Sequence, residues 1–142
     1  YIVVNCLVFK QKIQDYFKQT ENEKFANECI QKIFNTILND LKEIENANLC
    51  LNDAKELIIH SKHLINLNKR KEIFFKLCAD LLDYIGQYEN DLKNFQESLE
   101  YFEEAFKIRE VLYKEINLNH SDIASSLINI GNAHVKLNNV IL

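Results

Sequence analysis

The sequence predicts an all-α fold, a right-handed array of antiparallel helix hairpins, on three observations. Residues 77–139 repeat themselves at a shift of 45: Ala79 falls on Ala124, Leu82 on Leu127, Ile85 on Ile130, Gly86 on Gly131, Leu92 on Leu137 and Asn94 on Asn139. A period in this range marks a supersecondary unit that must stack on copies of itself to bury its core. The chain has no Pro and only two Gly, too few turn formers for a loop-rich β fold. Apolar residues recur at three- and four-residue steps, which puts them on one face of a helix.

Taken in order, Tyr1–Gln19 reads as a helix with Leu7, Ile13 and Phe17 toward the core, although its Val-rich start leaves a strand open. Thr20 to Glu23 forms a capping-box pattern, in which the Thr hydroxyl and the Glu side chain satisfy each other's backbone amides. The helix that follows runs to about Ile44, with Phe25, Cys29, Ile33, Ile37, Leu41 and Ile44 as its apolar stripe. After a break at Asn46–Asn48, a helix over about Leu51 to Asn66 carries Ala54, Leu57, Ile58, Ser61, Leu64 and Ile65. At a shift of 44 this pair is a degenerate copy of the next, with Lys42 standing where Gly86 stands. Glu72–Glu89 is the first clear helix A and Phe95–Tyr113 its helix B, with Asn94 as a cap backed by Glu97. Gly86 lowers helix propensity by about 1 kcal/mol against Ala, so its use is close approach of the facing helix, filled by Phe102 and Ala105. Asp122–Lys136 is a second helix A, and Asn138–Leu142 the beginning of its helix B. The organisation is therefore a helical segment with a degenerate repeat over 1–71 and two units over 72–142, the second incomplete. Ile123, Leu127, Ile130 and Leu137 are expected to be partly exposed, and Gly131 to sit in a contact equivalent to that of Gly86.

The residues of 77–139 resemble the tetratricopeptide repeat in its longer, kinesin-light-chain-like version. Leu82, Ile85 and Gly86 fit its helix A, Ser98, Phe102 and Ala105 its helix B, and Lys107–Tyr113 with His120–Ala124 its inter-repeat segment. Glu89 stands where an aromatic is usual, with Tyr88 one place early, Ser121 replaces a common Pro, and the link Lys114–Asn119 is longer than usual. The resemblance implies a protein-interaction scaffold, and Asn129 and Asn132 sit where related repeats use Asn to hold a peptide backbone.

Composition narrows the function. The net charge is −4, which gives no electrostatic footprint for nucleic acid. From Asp80 to Glu110 nine acids face Lys93, Lys107 and Arg109, a local −6 that leaves +2 elsewhere. Four cysteines without paired spacing read as small buried hydrophobes in a reducing, cytoplasmic compartment. The chain lacks Met, so Tyr1 is not a translation start and a longer parent protein is expected. Tyr1–Phe9 is too short an apolar run to span a bilayer, so no membrane partner is expected. Two isolated glycines build no phosphate loop. His60 and His63 lack the further ligands of a metal site, Cys78 has no His in reach to activate it, and Glu100, Glu103 and Glu104 read as a solvated face. The chain is accordingly expected to be no enzyme and to use no cofactor or metal.

Binding residues are expected on the concave face lined by the A helices: Asp80, Asp83, Tyr84, Gln87, Asn90 and Asp91 from the first unit, and Ser125, Asn129, Asn132 and Lys136, with Ile128 and Val135, from the second. The expected partner is a protein or peptide, and a basic one if Asp80, Asp83 and Asp91, extended by Asp40 and Glu43, give the groove a negative potential. Self-association through the C-terminal face is expected too. The alternative is a regulatory or oligomerising segment of a multidomain enzyme or motor protein.

Overall fold

A computed structural model describes residues 7–14, 23–47, 54–114 and 120–141, and among these every regular element is helical. Helix α1 covers residues 7–14. It is followed by α2 (Glu23–Asn46), α3 (Lys55–Asn68), a 3-10 turn (Glu72–Phe74), α4 (Phe75–Asp91), α5 (Phe95–Tyr113) and α6 (Ser121–Ile141). From α2 onward each helix packs on the next, and α2 also touches α4. This is the neighbour-to-neighbour packing of a helical array. Phe17, the Thr20 cap and Leu51 lie outside the described residues.

One core joins α2, α3 and α4. Cys29, Ile33, Ile37 and Leu41 of α2 are buried as their spacing requires, with Ile58, Leu64 and Ile65 of α3 and Leu81, Leu82 and Ile85 of α4. The buried stripe of α2 is wider than the expected one and starts one residue later, because Phe25 is exposed while Ala26 and Phe34 are buried. Phe34 turns inward because a partner awaits it: its ring stacks on that of Phe74, centroids 5.5 Å apart. Phe74 in turn closes the 3-10 turn that precedes α4, so the helix expected from Glu72 begins at Phe75.

The α4–α5 hairpin turns through Lys93, whose φ of 63° is left-handed. The Asn94 amide donates to the Glu89 carbonyl at 2.8 Å and the Lys93 amide to the Asn90 carbonyl at 3.0 Å, the pair of bonds that defines a Schellman stop. The Asn94 side chain does not cap α5 as its sequence suggests. It donates instead to Glu89 Oε2 at 2.8 Å, and Lys62 Nζ reaches Glu89 Oε1 at 3.4 Å. Those two donors explain how a carboxylate is buried where the repeat usually has an aromatic.

Gly86 is the point of closest approach between α4 and α5. A β-carbon there would lie 2.6 Å from Phe102 Cε1, and Ser98 Oγ donates to the Gly86 carbonyl at 2.8 Å. Gly131 departs from the expected equivalence. A β-carbon on it would meet nothing within 4 Å, because among the described residues no helix packs on that side of α6. α6 also runs unbroken to Ile141, so the expected start of a new helix near Asn138 is absent. Ile123, expected to be partly exposed, is buried, whereas Leu127 is 52% exposed.

Candidate functional site

A groove of about 440 Å³ opens where α2, α4 and α6 come together. Helix α4 supplies Asp80, Asp83, Tyr84 and Gln87 at three- and four-residue steps, so all four share one face. Helix α6 adds Asn129, and α2 adds Leu38, Asn39, Lys42 and Glu45. The acids expected from α2, Asp40 and Glu43, are not in this wall. With Phe34, Ile37 and Leu41 buried, the α2 residues left to line the groove beside α4 are Leu38, Asn39, Lys42 and Glu45.

The floor of the groove is tied by a residue that plain charge counting treats as a surface cation. Arg109 of α5 is 4% exposed. Its Nη1 donates to Asp83 Oδ2 at 2.6 Å and to Ser126 Oγ at 2.7 Å, and its Nη2 donates to Asp80 Oδ1 at 2.9 Å. One guanidinium thus joins α4, α5 and α6. Lys76 Nζ adds a contact to Asp80 Oδ2 at 3.2 Å. The periodicity of α5 carries the signal for this burial, since Arg109 continues the run Ser98, Phe102, Ala105 at a step of four.

This arrangement corrects the charge expected of the groove. Glu45, Asp80 and Asp83 sum to −3, Lys42 and Arg109 return +2, and Lys76 brings the total to zero. Burial pushes the Asp83 carboxyl above its ordinary range, and Arg109 offsets only part of that. Asp83 Oδ1 is buried without a well-formed hydrogen bond, although the Asn129 side chain lies near enough to act on the carboxyl and lower its pKa in part. Burial, then the Glu45 carboxylate, push the Tyr84 hydroxyl up to about 12, so it is a neutral donor at any physiological pH.

The remaining expected residues lie off the groove wall. Asn90 Oδ1 accepts from Lys136 Nζ at 2.9 Å, a strap from α4 to α6. Asp91 accepts from Gln87 at 3.5 Å, and Ser125, Asn132, Ile128 and Val135 stand exposed on α6. At the start of α6 the Tyr113 hydroxyl donates to Asp122 Oδ2 at 2.7 Å, and the Tyr113 ring stacks on His120 with centroids 4.0 Å apart. Cys78 is fully buried, and burial pushes its thiol up to about 12, far from a nucleophile's range. Among the described residues no group of three His, Cys, Asp or Glu side chains could hold a metal ion, and no helix is long and apolar enough to cross a membrane.

Residues 78–122 match the family model of the tetratricopeptide repeat. That stretch runs from the first turn of α4 through α5 to the start of α6, so the chain carries a tetratricopeptide repeat built on the α4–α5 hairpin. No curated protein and no solved structure matches the chain.

Proposed function

We propose that this chain is a non-catalytic protein-interaction module that holds an extended peptide in the groove between α2, α4 and α6. The observation that carries the reading is the convergence of three side-chain amides, Asn39, Gln87 and Asn129, on one groove. Amides offer both a donor and an acceptor, which suits a peptide backbone that must keep both satisfied. The match to the tetratricopeptide repeat supports a protein partner, and its span of 45 residues (78 to 122 inclusive) favours the longer, kinesin-light-chain-like version. On this reading residues 72–142 hold two units, the second truncated, behind a helical segment with a degenerate repeat over 1–71. The buried thiols of Cys29 and Cys78 favour a reducing, cytoplasmic location.

The preferred partner is a basic one. Glu45 and the unsatisfied Asp83 Oδ1 favour a donor or cation, whereas Arg109 and Lys42 cancel most of the field. Fluorescence polarisation against basic and acidic peptide pools tests the groove. Gln87→Ala with Asn129→Ala should weaken the best peptide about tenfold, from two lost hydrogen bonds of about 0.5–1.5 kcal/mol each, and unchanged affinity would rule the groove out. Glu45→Gln should narrow the gap between the pools. Replacing Asp80 and Asp83 would be a poor probe, because it strands Arg109.

A second reading, an oligomerising segment of a larger enzyme or motor protein, is favoured by one observation. Leu127, Ile128 and Val135 of α6 are each more than half exposed beside the open side of Gly131. Sedimentation at high concentration should then give a dimer that Leu127→Glu dissolves, and a monomer throughout would remove this reading.

A further inference from the structure

A second recess, of about 320 Å³, opens between α1, α2 and α3 and shares no residue with the groove. Its floor is apolar and buried, made by Ile13, Ala26 and Leu64, while Ile30 and Leu67 form its walls. Among the described residues, Lys10 and Lys71 are its only charged lining. Among the described residues neither lysine pairs with a carboxylate. Burial lowers the pKa of Lys10, because its ammonium has lost part of its water. An apolar recess of this size with a few charged groups at its edge is the usual form of a small-molecule site.

We propose that this recess binds one free medium-chain fatty acid as its anion, the hydrocarbon lying on Ile13, Ala26 and Leu64 and the carboxylate resting between Lys10 and Lys71. Charge selects the head group, since among the described residues two cations and no acid line the recess. The polar inventory selects the body. Asn68 gives one of its amide N–H groups to the Leu64 carbonyl at 2.8 Å, and Gln14 is the one other side-chain amide in the described lining. A peptide would carry backbone groups into this recess that the lining cannot satisfy, whereas an alkyl chain brings none. A concave floor also suits a single chain better than a bilayer surface, which is met by projecting side chains.

Calorimetric titration of the full chain with monomeric decanoate tests this, with decanol and acetate as comparators. One decanoate should bind per chain, with decanol and acetate at least about tenfold weaker, each lacking one half of the recognition. Lys10→Gln and Lys71→Gln should each weaken decanoate about fivefold without loss of helical content, as a partly exposed ion pair predicts. Decanol binding as tightly as decanoate, or unchanged affinity in both lysine variants, would overturn the proposal. Association with anionic lipid vesicles but not with monomeric decanoate would overturn it equally.

Discussion

Arg109 shows what a single side chain does when a helix face has already fixed its direction. Its guanidinium is buried among Asp80, Asp83 and Ser126, and removing one member of such a set leaves the others uncompensated. Arg109→Met should therefore cost about 3–5 kcal/mol in urea unfolding. Adding Asp80→Asn and Asp83→Asn to that variant should recover much of the loss; no recovery would mean that packing, and not charge, governs the site. A smaller case lies at the start of α6. Burial alone would raise the Asp122 carboxyl, but the Tyr113 hydroxyl, Lys76, Arg109 and His120 outweigh it and hold it below its ordinary value. A depressed carboxyl contributes stability above its unfolded pKa of about 3.9, and that contribution is lost as pH falls through the folded value. Tyr113→Phe should thus cost about 1 kcal/mol at neutral pH, with the deficit shrinking as pH falls below about 4. Denaturation curves at both pH values check the sign.

At the scale of elements, the two glycines separate what repeats from what does not. Gly86 faces the Phe102 ring and Gly131 faces open space. Gly86→Ala must push back a buried ring, at about 1–3 kcal/mol before the helix-propensity gain of about 1 kcal/mol is returned. Gly131→Ala meets nothing and should stabilise by about 1 kcal/mol. Melting temperatures moving in opposite directions would support this account, and a loss at both positions would place an unseen contact on α6. The helices were legible from spacing alone: α5 runs over Phe95–Tyr113 as the sequence predicts. What the pattern could not supply was rotation and partnership. Phe34 and Phe25 both fit helical steps on α2, and only the ring of Phe74 decides which is buried. The Asn94 cap fails for a similar reason, since donating its amide N–H to the buried Glu89 carboxylate turns the side chain toward α4 and away from the first turn of α5.

For the whole molecule, stacking brings together residues that no local pattern joins. Asp80, Asp83, Tyr84, Gln87 and Asn129 meet in one groove, as the repeat geometry suggests, but Asn39, Lys42 and Glu45 come from α2, whose sequence does not reveal that this face turns toward α4. The acid excess was legible as a count and misleading as a potential, because Arg109 lies 26 residues from Asp83 and 29 from Asp80 in sequence yet directly on both in space. The groove as a peptide site is tested most directly by mapping. Nitrogen-15-labelled chain, titrated with the tightest peptide from the pools, should show shifts in the side-chain amides of Asn39, Gln87 and Asn129, while Gln96 on the outer face of α5 stays still. Shifts confined to α5 or to the recess between α1 and α3, with the three groove amides unmoved, would contradict the account.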